Sequence, residues 1–380
     1  MSRAREFADL AGSADAGGIT GSNIITNGAM RIAQRGTSTT GLQNTGGVFT
    51  IDRFSHRRGG SWSNAQFKHE QVDATVTGEP SLNKALKVTC TTAEGSVPAS
   101  GEAVAIGCSY LEKGDTHRLG VGTSAALKST FSFYARASIA TTYGFEIHAY
   151  QHSTAQAIRI PFTISSANTW ERISVSIPAD TAALDSDADN TSGWLMHIVL
   201  DGEASSDTAS AWADIGSSGV RLPNGVSTTA FSNTLNATFE LTGVQLEAGE
   251  VATPFQHEDT ETTLAKCQRY YFRIDEGVTY QRFALGSCAN SNNAQTTITL
   301  PVTMRTTPSV DTTGTAGDYA FFEAGTVHTL TSLPAINAFG SNAQSVNVTC
   351  TSTGNFAAGN AGEFLSNNDA SVFFALSAEL

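Results

Sequence analysis

Four stretches of this chain alternate apolar and polar residues with a period of two. Phe131, Phe133 and Ala135 form the first, and Tyr143, Phe145, Ile147 and Ala149 the second. Ile158, Ile160, Phe162 and Ile164 make the third, and Ile173, Val175 and Ile177 the fourth. Successive side chains of an extended chain point to opposite faces, so this period buries one face and wets the other. That is the pattern of antiparallel sheets. The spacing of the runs suits a sandwich with loops at both ends. Trp194 to Leu200 (WLMHIVL) is apolar on both faces, which predicts a central strand. Phe239 and Leu241 share one phase, Val244 and Leu246 the other, and Gly243 lies between them. A β-bulge at Gly243 returns both pairs to the inside.

Composition agrees with β structure. Charged residues make up 15% of the chain, against about 25% in an average soluble protein. Ser, Thr, Asn, Ala and Gly take their place. Helical bundles need Glu, Lys and Arg on their solvent faces, and disordered chains combine low hydrophobicity with high net charge. The balance is acidic, with 35 Asp and Glu against 22 Lys and Arg and a net charge of -13. No basic run extends beyond Arg57-Arg58, so the sequence predicts no nucleic-acid partner and no attraction to anionic membranes. No stretch approaches the roughly 20 apolar residues of a membrane span, and the first residues lack the apolar core of a signal peptide. The five cysteines, Cys90, Cys108, Cys267, Cys288 and Cys350, are far apart and include no Cys-x-x-Cys. They read as free, buried thiols, with no zinc or redox site.

Length predicts two or three domains, and the patterning divides the chain into an arm and two β domains. Residues 1–21 are expected to form a docking arm with a glycine-rich connector. Phe7 and Leu10 lie on one face of a short helix capped by Ser2; a frayed terminus is the competing reading. Residues 22–258 read as a β-sandwich. Residues 259–380 read as a second one, led by a short helix that Asp259 caps. Leu264, Cys267 and Tyr271, at i, i+3 and i+7, predict one helical stripe, available to a partner subunit or to packing within the chain. Ile298, Leu300, Val302 and Met304 alternate, with Pro301 on the opposite phase, which marks an edge strand or a strand end. Val346, Val348 and Cys350 follow, and the last strand places Val372, Phe374, Leu376, Ala378 and Leu380 on one face.

The search for chemistry finds no catalytic signature: no nucleophile elbow, no His-Glu-x-x-His, no phosphate loop and no dinucleotide fingerprint. Asp185-Ser-Asp187-Ala-Asp189-Asn190 begins like a calcium loop, but Asn190 stands at the glycine position and Met196 at the bidentate glutamate position. It reads as a solvated acidic loop. His148 and His152 are four apart, yet the surrounding period is that of a strand, so no metal site is expected there. No cofactor is expected either. Aromatic side chains remain as contact candidates. Trp194 reads as core. Trp62 and Trp212 have polar neighbours and read as core or as glycan-stacking surfaces. Tyr319, Phe321 and Phe322 lie between glycines and predict a loop tip that could meet a receptor or glycan.

Several segments resemble parts of bacteriophage tail fibre and related virion appendage proteins. QLEAGEVATPFQHEDTETTLAKCQRYYFRI (Gln245 to Ile274) is similar to the run that ends a jelly roll there and passes into a Cys-Gln-Arg-Tyr-Tyr segment. NIITNGAMRIAQRGTS (Asn23 to Ser38) and FTIDRF (Phe49 to Phe54) resemble the opening of the same module. FTISSANTWERISVSIPADT (Phe162 to Thr181) resembles its middle, and LPVTMRTTPSV (Leu300 to Val310) with the terminal FFALSAEL the distal domain. Phe54 departs from the Trp that is common after Asp-Arg. The resemblance implies an all-β homotrimer within the virion, with a jelly roll like those of carbohydrate-binding modules and a distal domain for attachment to host glycan or protein. It also implies virion proteins as partners of the N-terminal arm, and a trimer contact through Leu264, Cys267 and Tyr271. The expected function is a tail fibre without catalysis. A decoration fibre on capsid or tail and a polysaccharide depolymerase are the rivals; depolymerases usually carry a repetitive parallel β-helix, and no internal repeat is present.

Overall fold

A computed structural model describes residues 23–43, 46–59, 64–95, 103–185, 190–215, 219–226, 231–275 and 277–380. Phe7, Leu10 and Trp62 lie outside these residues, as does most of the acidic loop (186–189). The chain forms two compact units, one running to Thr263 and one from Leu264 to Glu379.

The first unit contains strands β1 (Ser38–Leu42), β2 (Gly47–Val48), β3 (Phe54–Gly59), β4 (Gln66–Asp73), β5 (Lys84–Thr92), β6 (Ala103–Cys108) and β7 (Ser129–Ala137). It continues with β8 (Thr142–Ala149), β9 (Gln156–Thr163), β10 (Glu171–Ile177), β11 (Trp194–Gly202), β12 (Ala213–Asp214) and β13 (Thr238–Ala248). They build a six-stranded sheet ordered β1-β4-β5-β13-β7-β10 and a seven-stranded sheet ordered β12-β9-β8-β11-β6-β3-β2. The WLMHIVL strand, β11, is fourth of seven and therefore central. The alternating residues Phe131, Phe133, Phe145, Ile147, Ile158, Ile173 and Val175 share one core with Trp194. Phe131 of one sheet stacks on Phe145 of the other with centroids 4.4 Å apart. Each such fully buried side chain contributes roughly 1.5–3 kcal/mol.

The bulge at Gly243 is present. The pairing of β13 with β7 shifts between Thr242 and Gln245. Phe239, Leu241, Val244 and Leu246 all reach the core as a result. Gly243 has φ +60°, and a Cβ there would sit 2.7 Å from Leu82 Cδ1. Both the conformation and the close approach demand glycine.

The motif residues at the two ends of this unit bond to one another. The Asn23 amide donates to Gln256 Oε1 at 2.8 Å, and Asn23 Oδ1 accepts from the Leu246 amide at 3.1 Å. Gln245 Oε1 accepts from the Gln256 amide at 2.9 Å. Buried Glu247 accepts from Gln245 Nε2 at 2.8 Å and from the amide and hydroxyl of Thr253 at 2.9 and 2.7 Å. Asn27 Nδ2 donates to the carbonyls of Ile32 and Asp52, and the buried Asp52 carboxylate accepts from Gln34. Phe54, in place of the commoner Trp, is fully buried in the core.

The second unit contains β14 (Tyr271–Ile274), β15 (Arg282–Cys288), β16 (Asn293–Thr299), β17 (Ser309–Thr312) and β18 (Tyr319–Glu323). After these come β19 (Thr326–Thr329), β20 (Ala335–Asn337), β21 (Ser345–Thr351), β22 (Ala361–Ser366) and β23 (Phe374–Ser377). A three-stranded sheet is ordered β14-β23-β17 and a seven-stranded one β19-β18-β22-β15-β16-β21-β20. The three C-terminal segments that carry the resemblance thus meet in one small sheet. The core between the sheets includes Phe283, Tyr319, Phe364 and Phe374. Pro301 falls just beyond β16, a strand end and not an edge strand. Asp259 caps the helix Thr260–Gln268, its Oδ1 accepting from the Thr262 amide at 2.8 Å. That helix stops at Gln268 and Tyr271 opens β14, so Leu264, Cys267 and Tyr271 do not share a helical stripe.

Candidate functional site

Several predicted contact residues are interior. Tyr319 and Phe321 sit on β18 with their rings in the core of the second unit, so the expected loop tip is a strand. Alternation explains the outcome: Tyr319 and Phe321 face inward, and Phe322, the next residue along the strand, faces out, half-buried. Cys267 and Tyr271 are fully buried within the single chain, and the Tyr271 hydroxyl donates to Asp311 at 3.0 Å. Leu264 is half-buried. Trp212 is also half-buried; its ring lies 5.7 Å from that of Trp194, and its Nε1 donates to the Pro178 carbonyl at 3.1 Å. That contact explains how a tryptophan with polar neighbours is retained at the rim of the core.

Among the described residues, two sheet faces have the chemistry of a site. One is the outer face of the seven-stranded sheet of the second unit. Val327 pairs with Phe322, Phe322 with Glu363, and Glu363 with Leu285. This row crosses four strands on the side away from the core. Leu285 is 71% exposed and Val327 40%, and Arg282 Nε donates to Glu363 Oε2 at 2.5 Å at its centre. Apolar side chains flanking a charged pair provide both contact area and orientation.

The other is the outer face of the seven-stranded sheet of the first unit, where register lines up polar residues of four strands with a glycine of a fifth. Arg159 of β9 lies opposite Glu146 of β8, and Glu146 opposite His197 of β11. His197 lies opposite Gly107 of β6, and Gly107 opposite Ser55 of β3. Gly107 is required, because a Cβ there would come 2.4 Å from the Tyr110 hydroxyl that fills its place. This face is not solvated as a simple period of two implies. Val220, Leu222 and Val226 pack on Ala103, Ala105 and Val199. Glu146, His148, Arg159 and His197 are consequently buried.

Within the row, Glu146 Oε1 accepts from Arg159 Nε at 2.7 Å and from the Arg221 amide at 3.3 Å. Arg159 Nη1 also bonds Asp207, which accepts from Ser205 Oγ at 2.8 Å. His197 Nε2 and the Tyr110 hydroxyl are 3.0 Å apart. Burial, with His148 and Arg57 nearby, pushes the His197 pKa well below its usual value, so the ring is neutral. Among the described residues, Glu146, His148 and His197 are the group able to present three metal-ligand atoms together, all within 4.8 Å of one another. His152 does not join them; it pairs with Asp180 at 2.8 Å. The sequence reading singled out His148 but missed Glu146 and His197. Their signal is a charged or titratable residue inside a strand that is apolar on either side, as in GFEIHA and LMHIV.

No protein-family model and no curated protein matches the chain. Among solved structures it is similar to the enzymatically active domain of tailspike protein 4 of bacteriophage CBA120, at 11% identity and a TM-score of 0.30, over 60% of this chain and 21% of that one. It is similar to the family 11 carbohydrate-binding module of the cellulase Lic26A-Cel5E of Clostridium thermocellum, at 12% identity and 0.27, over 57% of this chain and 98% of that one. The tripod from the baseplate of bacteriophage Tuc2009 matches at 13% identity and 0.23, over 71% and 82%. At these scores the likeness is distant, and the functional reading rests on this chain's own residues.

Proposed function

We propose that this chain is a non-catalytic attachment protein of a bacteriophage virion. In this reading the first unit is a rigid jelly-roll carrier, and the outer sheet face of the second unit meets the host surface. The row Val327, Phe322, Glu363 and Leu285 on the outer sheet face carries the reading, since Leu285 at 71% exposure gains nothing from the fold. Contiguous apolar surface rimmed by polar groups marks interaction sites, and Leu285, Phe322 and Val327 line up on one face around an ion pair. The resemblance of Gln245 to Ile274 and of the flanking segments to virion appendages supports the setting, a homotrimer included. The net charge of -13 fits a fibre that avoids non-specific adhesion to anionic cell surfaces and relies on short-range contacts.

The test uses the full chain and a panel of bacterial cells, with bound protein read by flow cytometry. The pair Leu285→Asp and Val327→Asp should lower binding at least ~10-fold while leaving the melting temperature unchanged, because neither residue supports the core. Equal binding by both proteins would reject this face as the contact surface. Light scattering should return about 119 kDa, three times 39.8 kDa; a 40 kDa particle would rule out the trimer.

A further inference from the structure

We infer that Glu146, His148 and His197 form a binding site for one divalent transition-metal ion of the zinc type. Three atoms make no hydrogen bond although all three are buried: Glu146 Oε2, His148 Nε2 and His197 Nδ1. Both imidazole nitrogens lie against the Glu146 carboxylate, one at each oxygen. His148 Nε2 is 3.0 Å from Glu146 Oε1, and His197 Nδ1 is 3.7 Å from Glu146 Oε2. Ligand atoms around a tetrahedral zinc are about 3.4 Å apart, given bonds of about 2.0–2.1 Å. Two imidazoles on such an ion have centroids about 5 Å apart, and those of His148 and His197 are 5.2 Å apart. Ring packing alone leaves Glu146 Oε2 and His197 Nδ1 buried and unpaired, and His148 Nε2 beside Glu146 Oε1 without a hydrogen bond, which is costly.

The surroundings fix each ring for ligation. The far nitrogen of either histidine meets a tyrosine hydroxyl: His197 Nε2 with Tyr110 at 3.0 Å, and His148 Nδ1 with Tyr150 at 3.5 Å. A ring that places its N–H on an outer partner directs its lone pair inward. Glu146 and His148 alternate on β8, and register sets His197 directly opposite Glu146. The ion would therefore clip β8 to β11, with water as a fourth ligand. Charge permits it. Arg159 is shared between Glu146 and Asp207, so these three groups sum to one negative charge. Arg57, 5.8 Å from the centre of the Tyr110 ring, opposes the cation, and affinity should be about 1 μM rather than that of a four-ligand structural site. Tyr150 is the exposed ring beside the cluster and marks the way in.

The inference is independent of the attachment reading. The full chain, stripped with chelator and dialysed, is titrated with Zn²⁺ alone by calorimetry. One ion per chain should bind, and saturation should raise the melting temperature by about 5 °C. Glu146→Gln and His197→Gln, each verified folded by circular dichroism, should weaken binding more than 10-fold. No saturable binding to the folded wild type at 100-fold excess over about 1 μM would overturn the site, as would binding that both variants retain. Should the variants fail to fold, X-ray absorption of the wild-type complex decides. Two imidazoles with oxygen ligands are expected, and a thiolate shell or fewer than two imidazoles would refute it.

Discussion

The Asn23 amide donates to Gln256 Oε1 at 2.8 Å, joining positions 233 residues apart at the two ends of the first unit. The same asparagine accepts from the amides of Ile25 and Leu246, and its Nδ2 donates to the Val244 carbonyl. One side chain thus fastens the leading segment to the last strand of the sandwich. Asn23→Ala removes three side-chain bonds at once. With about 1 kcal/mol for each, the first unit should lose roughly 2–3 kcal/mol, read as a lower urea midpoint of tryptophan fluorescence. A loss below about 0.5 kcal/mol, the level of an ordinary surface change, would show that the ends are held elsewhere.

Gly28 is placed by the same closure. A Cβ on Gly28 would lie 2.0 Å from the Val244 carbonyl oxygen, an atom that cannot move without opening the last strand. The Val244 amide also bonds the Gly28 carbonyl at 3.0 Å. Gly28→Ala should cost at least about 3 kcal/mol or prevent folding. Gly219 is the matched control, with nothing within 4 Å of its Cβ position, and Gly219→Ala should be neutral within about 0.5 kcal/mol. Similar melting temperatures for the two variants would contradict the close approach.

Much of this was readable from local pattern. The period of two located β7 through β10, the two-faced apolar run located the central β11, and the phase change located the Gly243 bulge, because each is a property of a few neighbouring residues. Asp259 as a cap was legible for the same reason. Tyr271 was not, since helix and strand periods overlap over a few residues and only Gln268 as the helix end separates them. Tyr319 and Phe321 were misplaced because flanking glycines look alike in a turn and in a tight hairpin. The Glu146–His197 pairing could not be read at all. It depends on register between strands that two further strands separate in sequence, and on the covering segment that buries them.

The cysteines should be inert in the folded protein. All five are buried, and none is in a disulfide. Burial pushes the Cys90 thiol up to about 11 and Cys288, which donates to Glu323 Oε2 at 3.1 Å, up to about 12. Cys108 and Cys350 are raised further by the same desolvation. The thiolate is the reactive species. A disulfide reagent at pH 8 should label fewer than about one thiol per native chain within an hour, and all five cysteines after denaturation. Fast labelling of one site in native protein, located by mass spectrometry, would identify a thiol that opens locally.

Acid should act on the first unit through His56 and His69, whose Nδ1 and Nε2 atoms are 3.1 Å apart in the core between β3 and β4. Burial, with Arg58 beside it, lowers the His56 pKa from 6.5 to about 4. Burial and the neighbouring His56 push His69 well below 6.5 as well. Both pKa values are depressed on folding, so between them and 6.5 the unfolded chain binds more protons than the native one. Stability is full above pH 6.5 and falls as pH drops toward 4. Below pH 4 the His56 contribution levels off. The His56 shift alone is worth about 3 kcal/mol across that window. Replacing both with leucine removes the titration while keeping an apolar core of similar volume. Urea midpoints measured at pH 7.5, 6, 5 and 4.5 should therefore converge or cross, with the variant losing less on acidification. Parallel curves for wild type and variant would mean that carboxylate protonation elsewhere governs acid unfolding.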